Sequence, residues 1–281
     1  MVYKIAKMLL TSNFVGIRNV AKRTYSVRYI AGQPAKRIQP MPVHMLGESL
    51  PVGLPLFAAG ETLDVVTWNI YKQQRPNWKK VLNELVKDKK LILLQEAQMS
   101  PELISFAASH KLIADQVPAL PFSQHPAGVM TLATAHPIYC CPLREKEPLL
   151  RLAKSALITV YPLPNGEHLM VANVHAINFS FGVDVYTRQL SKLGEHISKH
   201  VGPVLLAGDF NAWSRQRVNA LKRFVRSVGL KEVNYDIDQR TKAFGRPLDY
   251  LFYRGLKVKD CYVTNTDASD HNPIITQFDL V

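Results

Sequence analysis

Apolar segments of strand type recur between residues 63 and 280, and each stops or starts at a carboxylate, an amide or an imidazole. LDVVTWNI (63–70) carries Asn69 near its end, LILLQEA (91–97) carries Glu96, HLMVANVHAIN (168–178) carries His175, and PVLLAG (203–208) runs into Asp209 with Asn211 beyond it. LDYLFYR (248–254) begins beside Asp249, and PIITQFDL (273–280) follows Asp270, His271 and Asn272. Short runs rich in β-branched and aliphatic residues predict buried strands. A chain built this way folds around sheets, and mixed α/β proteins present their chemistry just beyond the strand ends.

Helical periodicity separates these strands. In NWKKVLNELVKD (77–88), Trp78, Val81, Leu82, Leu85 and Val86 fall at helical spacing. SPELISFAASH (100–110) opens with Ser100 as a predicted N-cap and Pro101 at the first helical position. VYTRQLSKLGEHISKH (185–200) and RVNALKRFVRSVG (217–229) read as amphipathic helices, and GVMTLATA (128–135) and SALITVYPL (155–163) as further strands. Strand–helix alternation mixed with consecutive strands predicts one layered α/β domain over residues 62–281, with no internal linker. Residues 38–63, with four prolines and three glycines, read as a loop-rich lead-in, so residues 1–61 are expected to form an N-terminal extension.

The charge supports that division. The chain carries +13, yet residues 1–47 hold eight Lys or Arg and no acid, leaving 27 basic against 22 acidic residues beyond them. Such an arm suits an anionic membrane or nucleic acid, resembles an organelle transit segment, or drapes over the surface. Deleting residues 1–47 is therefore expected to leave a small-substrate activity intact. No apolar run reaches the ~18–20 residues of a membrane helix, and MLL and FVGI fall short of a secretory core of about 7–15 residues. Cys140, Cys141 and Cys261 form no disulfide framework, which favours a reducing compartment. A cytoplasmic monomer is the expectation.

Taken singly, each polar strand-end residue has an ordinary role in a turn or cap. Together they demand more. Glu96, Asp209, Asp249 and Asp270 flank apolar strands, and an unpartnered buried carboxylate costs several kcal/mol. Cations, hydrogen bonds or solvent must compensate, and Mg²⁺ suits oxygen ligands drawn from one or two carboxylates, water and phosphate. His175 and His271 add donors for a phosphate oxygen. Neither zinc-type Cys/His spacing nor a P-loop or GxGxxG is present.

The stretches WNI, LQE, NVH, GDFN, LDY and SDHNP occur in that order, and over residues 62–281 the chain resembles the endonuclease/exonuclease/phosphatase superfamily, the DNase-I-like fold. Through WNIYKQQR, LQEAQ, CCPLRE, GDFNAWSR and AFGRPLDYLFYRG it is similar to the bacterial YafD-like branch. The resemblance implies a four-layer α/β/β/α sandwich that hydrolyses phosphodiester or phosphomonoester bonds with Mg²⁺ or Mn²⁺. It implies Glu96 as principal metal ligand, with Asn69 beside it and Asp270 completing the shell. Asp209 would orient or deprotonate the attacking water, and Asn211 would hold the phosphate or that water. His271, oriented by Asp249, would stabilise phosphoryl charge. His175 would contact phosphate or act as general acid, and Asn178 would contact phosphate.

The implied partner is a phosphate ester, nucleic acid first. A lipid or inositol phosphate at a membrane is the alternative, and a non-catalytic phosphate-binding protein the third reading. Lys72, Arg75, Arg144, Arg151, Lys154, Arg188, Arg215 and Arg246 lie near the motifs, with solvated surface the expected fate of most. Phe210 and Trp213 are expected to be packing groups.

Overall fold

Along β3 (Thr62–Asn69) successive side chains enter different cores, Leu63 and Val65 one of them and Val66 and Trp68 the other. A strand that is apolar on both faces must lie inside a layered molecule. The computed structural model describes residues 24–39, 53–57, 62–87, 89–119, 125–148, 153–180 and 182–280. The cations Lys4, Lys7, Arg18, Lys22 and Arg23 of the N-terminal segment, and Arg151, lie outside them.

The first sheet has the order β15 (Lys257–Val263), β16 (Ile274–Asp279), β3, β4 (Leu91–Gln98), β6 (Ala127–Ala133), β5 (Ile113–Pro118), β1 (Ser26–Tyr29) and β2 (Lys36–Ile38). The second runs β11 (Lys231–Glu232), β14 (Asp249–Arg254), β10 (Val204–Asp209), β9 (His168–His175), β8 (Ala153–Pro162) and β7 (Tyr139–Lys146). A separate hairpin pairs β12 (Lys242–Ala243) with β13 (Arg246–Pro247). Helices α1 (Trp78–Leu85) and α2 (Pro101–Ser109) cover the outer face of the first sheet, where Leu82, Leu103 and Phe106 meet Val66, Ile92 and Leu94. Helices α3 (Asp184–Ile197) and α4 (Arg215–Ser227) cover the second, with Leu190, Leu193 and Phe224 against Met170, Val174 and Leu206. Leu63, Leu93, Leu169, Val171, Leu205 and Leu251 fill the space between the sheets. This is the expected four-layer α/β/β/α sandwich.

The local signals act as read. Ser100 Oγ accepts from Leu103 N–H at 3.2 Å with Pro101 opening α2. No helix of the described residues is long and apolar enough to cross a membrane.

The N-terminal segment departs from expectation. Residues 26–38 are not a draped arm: β1 and β2 extend the first sheet by two antiparallel strands, β1 pairing with β5. The physical reason is a buried ion pair. Arg28, directly opposite Asp115 in the register, donates from Nε to its carboxylate at 2.8 Å, and both groups are buried. The same guanidinium meets His136 Nε2 at 3.1 Å and Cys140 Sγ at 3.6 Å, so it reaches from the first sheet to β7 of the second. Breaking a buried pair by removing one partner leaves an uncompensated charge, costing about 3–5 kcal/mol. Arg28→Ala should therefore lower the unfolding free energy by that amount, read as a lower urea midpoint, and Arg28→Met with Asp115→Leu should recover much of the loss. A wild-type midpoint for Arg28→Ala would return this segment to the status of an arm. Deletion of residues 1–47, which removes both strands, should likewise lower the midpoint.

Candidate active site

Three neighbouring strands of the second sheet place His175, Asp209 and Asp249 in one row. Asp209 is in register with His175 of the parallel β9 and with Asp249 of the antiparallel β14. Gly208 makes that approach feasible: its φ is 137°, and a Cβ there would stand 2.0 Å from the Val174 carbonyl oxygen. The glycine in GDFN thus brings β10 hard against β9 immediately before the carboxylate.

The first sheet supplies the facing groups. Asn69 ends β3, in register with Gln95 of β4. Between Leu94 and Ala97 the pairing of β4 slips by a bulge, and Glu96 takes a φ of 51°. Bulges re-aim side chains beside active sites, and here the carboxylate of Glu96 is turned onto the second sheet's row, 4.0 Å from His175 Nε2.

The resulting cluster is tightly bonded. Asp209, 2% exposed, accepts from Asn69 Nδ2 at 3.1 Å and from the Asn211 backbone N–H at 2.9 Å. Its Oδ2 lies 3.3 Å from His175 Nε2 and 4.0 Å from His271 Nε2. Asp249 Oδ2 holds His271 Nδ1 at 2.7 Å. The main chain of His271 is fixed by Trp68 Nε1, which donates to its carbonyl at 2.8 Å, and by Ser269 Oγ, which accepts from its N–H at 3.1 Å. Asn211, with φ 47°, donates from Nδ2 to the Ala176 carbonyl at 3.0 Å.

Electrostatics differentiate the groups. Burial pushes the Asp209 carboxyl up to about 6; His271 and Lys154 oppose this and Asp249 adds to it. Burial alone would depress His271, but the carboxylates of Asp249, Asp209 and Asp270 outweigh it and raise the imidazole to about 10. His175 is held well below the usual histidine range by burial and by Lys154, His271 and Lys72. One imidazole is therefore a cation at neutral pH and the other is neutral.

Two of the lysines near the motifs meet the carboxylate of Glu96, Lys72 Nζ at 3.3 Å and Lys154 Nζ at 3.9 Å. Lys154 Nζ also lies 2.8 Å from His175 Nε2, the nitrogen that stands 3.3 Å from Asp209 Oδ2. Arg144 and Arg188 go elsewhere, to the Pro118 carbonyl and to Glu145.

Asp270 and Asn178 are held by neighbours of their own. Asp270 is exposed, its carboxylate accepting from Ser269 Oγ at 3.3 Å, and that hydroxyl also donates to the Asn69 carbonyl at 2.6 Å. Asn178 Oδ1 accepts from Trp213 Nε1 at 3.0 Å, and the backbone N–H of Asn178 donates to Glu147 at 2.7 Å. Phe210 is fully buried against Tyr250 and Phe252, a packing group as expected.

The donor set fits a hard cation of modest demand. Glu96 offers a carboxylate 18% exposed, and Asn69 an amide oxygen that accepts from the Tyr71 N–H at 3.1 Å. Among the described residues no group of three or more His, Cys, Asp and Glu forms a metal cage. An ion here would take one carboxylate and an amide, with water and substrate phosphate completing its shell, the mode Mg²⁺ favours.

Acids, amides and imidazoles gathered where the ends of two stacked sheets meet define a phosphoesterase-type site. Over residues 66–271 the chain matches the endonuclease/exonuclease/phosphatase family, and it belongs to that family of phosphoesterases. It is 63% identical over 259 residues to the UPF0294 protein plu0699 of Photorhabdus laumondii, covering 92% of this chain and 100% of that one. To the UPF0294 protein YE0917 of Yersinia enterocolitica it is 61% identical over 257 residues, covering 92% and 98%. Among solved structures it is similar to the endonuclease/exonuclease/phosphatase from Bacteroides vulgatus, with a TM-score of 0.63 and 15% identity over 79% of this chain and 100% of that one, a likeness of fold.

The His271–Asp249 contact gives a direct test. In an NMR pH titration the His271 signal, assigned by its loss in His271→Gln, should stay that of a cation beyond pH 9, since its midpoint is about 10. Asp249→Asn should lower that midpoint by roughly 1–3 units. An unmoved midpoint would assign the imidazolium to another cause.

Proposed function

We propose that the chain is a divalent-metal-dependent phosphodiesterase acting on nucleic acid by an activated water. The observation that carries this reading is Asp209: a buried carboxyl with an apparent pKa of about 6, gripped by two amides, lying between two imidazoles and facing the carboxylate of the opposite sheet. A general base works best with a pKa near the working pH, so Asp209 is suited to orient a water and take its proton. His271, kept cationic by Asp249, is suited to neutralise the phosphoryl oxygens as charge develops there, the largest contribution a preformed site makes.

Lys72 and Lys154 add positive charge on the same side, available to phosphate once Glu96 is otherwise engaged. Neutral His175 and the free proton of the Asn211 amide offer neutral contacts that orient the ester. Glu96 and Asn69 would hold the cation, with Asp270 reaching its shell through water. That ion supplies Lewis acidity toward the phosphoryl and leaving oxygens. Positioning of this kind, without covalent intermediates, is what phosphoryl transfer requires.

A panel of plasmid DNA, single-stranded DNA, RNA, bis(4-nitrophenyl) phosphate and phosphoinositides, each with Mg²⁺, Mn²⁺ or EDTA, tests the reading. Cleavage of a nucleic acid with either ion and none in EDTA is expected, with Asp209→Ala slower by about 10²–10⁴. Turnover that survives EDTA removes the metal from the proposal, and cleavage of phosphoinositides alone replaces nucleic acid with lipid.

A further inference from the structure

The hairpin β12–β13 turns on two residues, Phe244 and Gly245, and both have positive φ, 50° and 73°. Two-residue turns with positive φ at both positions favour Asn-Gly or Asp-Gly, because a side chain beyond these is strained there. A bulky aromatic with φ above zero is a genuine outlier. Phe244 is nevertheless the first turn residue, and it is 81% exposed. The chain therefore accepts backbone strain and an apolar ring in water at the same position. Strain held in place by its surroundings is concentrated at binding and catalytic sites.

Those surroundings lead to the active site. Thr241, at the foot of the hairpin, donates from Oγ1 to the Asp270 carbonyl at 3.3 Å and accepts from the Asn272 N–H at 3.0 Å, bracketing His271. On the other strand, Leu248 leads directly into Asp249, and its carbonyl accepts from the Phe210 N–H at 2.8 Å. The Phe244 ring stands 6.0 Å from that of Trp213, two residues beyond Asn211. Trp213 is itself immobilised, by the Arg217 guanidinium at 4.7 Å from its ring centre and by Asn178 at its indole nitrogen. Phe179, next to Asn178, is 49% exposed. Cations flank the rings in the chain: Lys242 and Arg215, each two residues from a ring, are exposed, and Arg246 donates to the Phe244 carbonyl at 2.9 Å.

We infer that the Phe244 tip, backed by Trp213, is a stacking platform for an unpaired nucleobase of a strand whose phosphate lies at Asp209. The inference deepens the phosphodiesterase reading and rests on it for the position of the phosphate. Rings beside a cationic margin are the elements with which proteins grip single strands, the base on the ring and the backbone on the charges. A base still paired within a duplex has no free face for this ring, so the occupant is single-stranded or locally opened.

The test uses the full chain and two fluorescein-labelled hexamers of equal charge, one of thymidylates and one with every base replaced by hydrogen. Their affinities are measured by anisotropy in EDTA. The wild type should bind the base-bearing hexamer at least about fivefold more tightly than the base-free one. Phe244→Asn places a residue the turn prefers, so its melting temperature should match or exceed that of the wild type, while the fivefold preference disappears and the base-free affinity stays unchanged. Phe244→Trp should retain the preference.

Equal wild-type affinity for the two hexamers overturns the inference. So does a Phe244→Asn protein that weakens both alike, or one that keeps its base preference while losing binding to phosphatidylglycerol vesicles. Failure of every substrate to be cleaved would sink the phosphodiesterase reading alone, because the anisotropy ratio is read without turnover.

Discussion

Two amides buried between the sheets decide where everything else stands. Gln95 Nε2 donates to Asn173 Oδ1 at 2.8 Å, and Asn173 Nδ2 donates to the carbonyls of Leu94 and Met130 at 3.1 and 2.9 Å. Hydrophobic burial is non-directional, so the aliphatic layer between the sheets attracts them without fixing how far one slides over the other. A buried hydrogen bond is directional, and leaving its partners unpaired costs about 1–3 kcal/mol. Gln95 immediately precedes Glu96, and Asn173 stands two residues before His175. The bridge therefore sets the distance between the first sheet's carboxylate and the second sheet's row of His175, Asp209 and Asp249.

Above that bridge the molecule assembles charge that would not persist singly. Asp209 and Asp249 sit side by side in register and nearly dry. They are tolerable because His271 is bonded to one and close to the other, while Lys154 and Lys72 answer Glu96. Local backbone strain accompanies this arrangement. Tyr71, Lys72 and Gln73 all have φ near 50°, as do Glu96 and Asn211. The 71–73 turn is held by Gln73, which exchanges amide hydrogen bonds with the backbone of Gln98 at 2.7 and 2.8 Å. Strained residues on both sheets thus lie within the site, as expected where preorganisation outweighs stability.

Much of this was legible beforehand. The strands carrying Asn69, Glu96, His175 and Asp209 announced themselves because both faces are apolar up to the polar residue. Ser100 and Pro101 opened α2 as their chemistry requires. Other elements gave no such signal. β5 reads IADQVP, and Asp115 and Gln116 look like loop residues until Arg28 and the carbonyls of Ala97 and Pro126 supply their partners. β7 contains Pro142 and closes on charged residues, and β15 alternates lysine and aspartate with apolar groups at an edge. Strands stabilised by cross-chain pairing leave little periodicity to read.

The sequence by itself determined the layered α/β class, most of the strands and helices, and the residue types of the site, because periodicity, caps and strand-end chemistry are local properties of the chain. Only the tertiary structure decided that residues 26–38 join the sheet, that Lys72 and Lys154 face Glu96, and that the exposed Phe244 ring stands beside Trp213. Each of these depends on contacts between residues distant in the chain. Ion pairing, desolvation and ring packing act through distances in space, which the order of residues does not state.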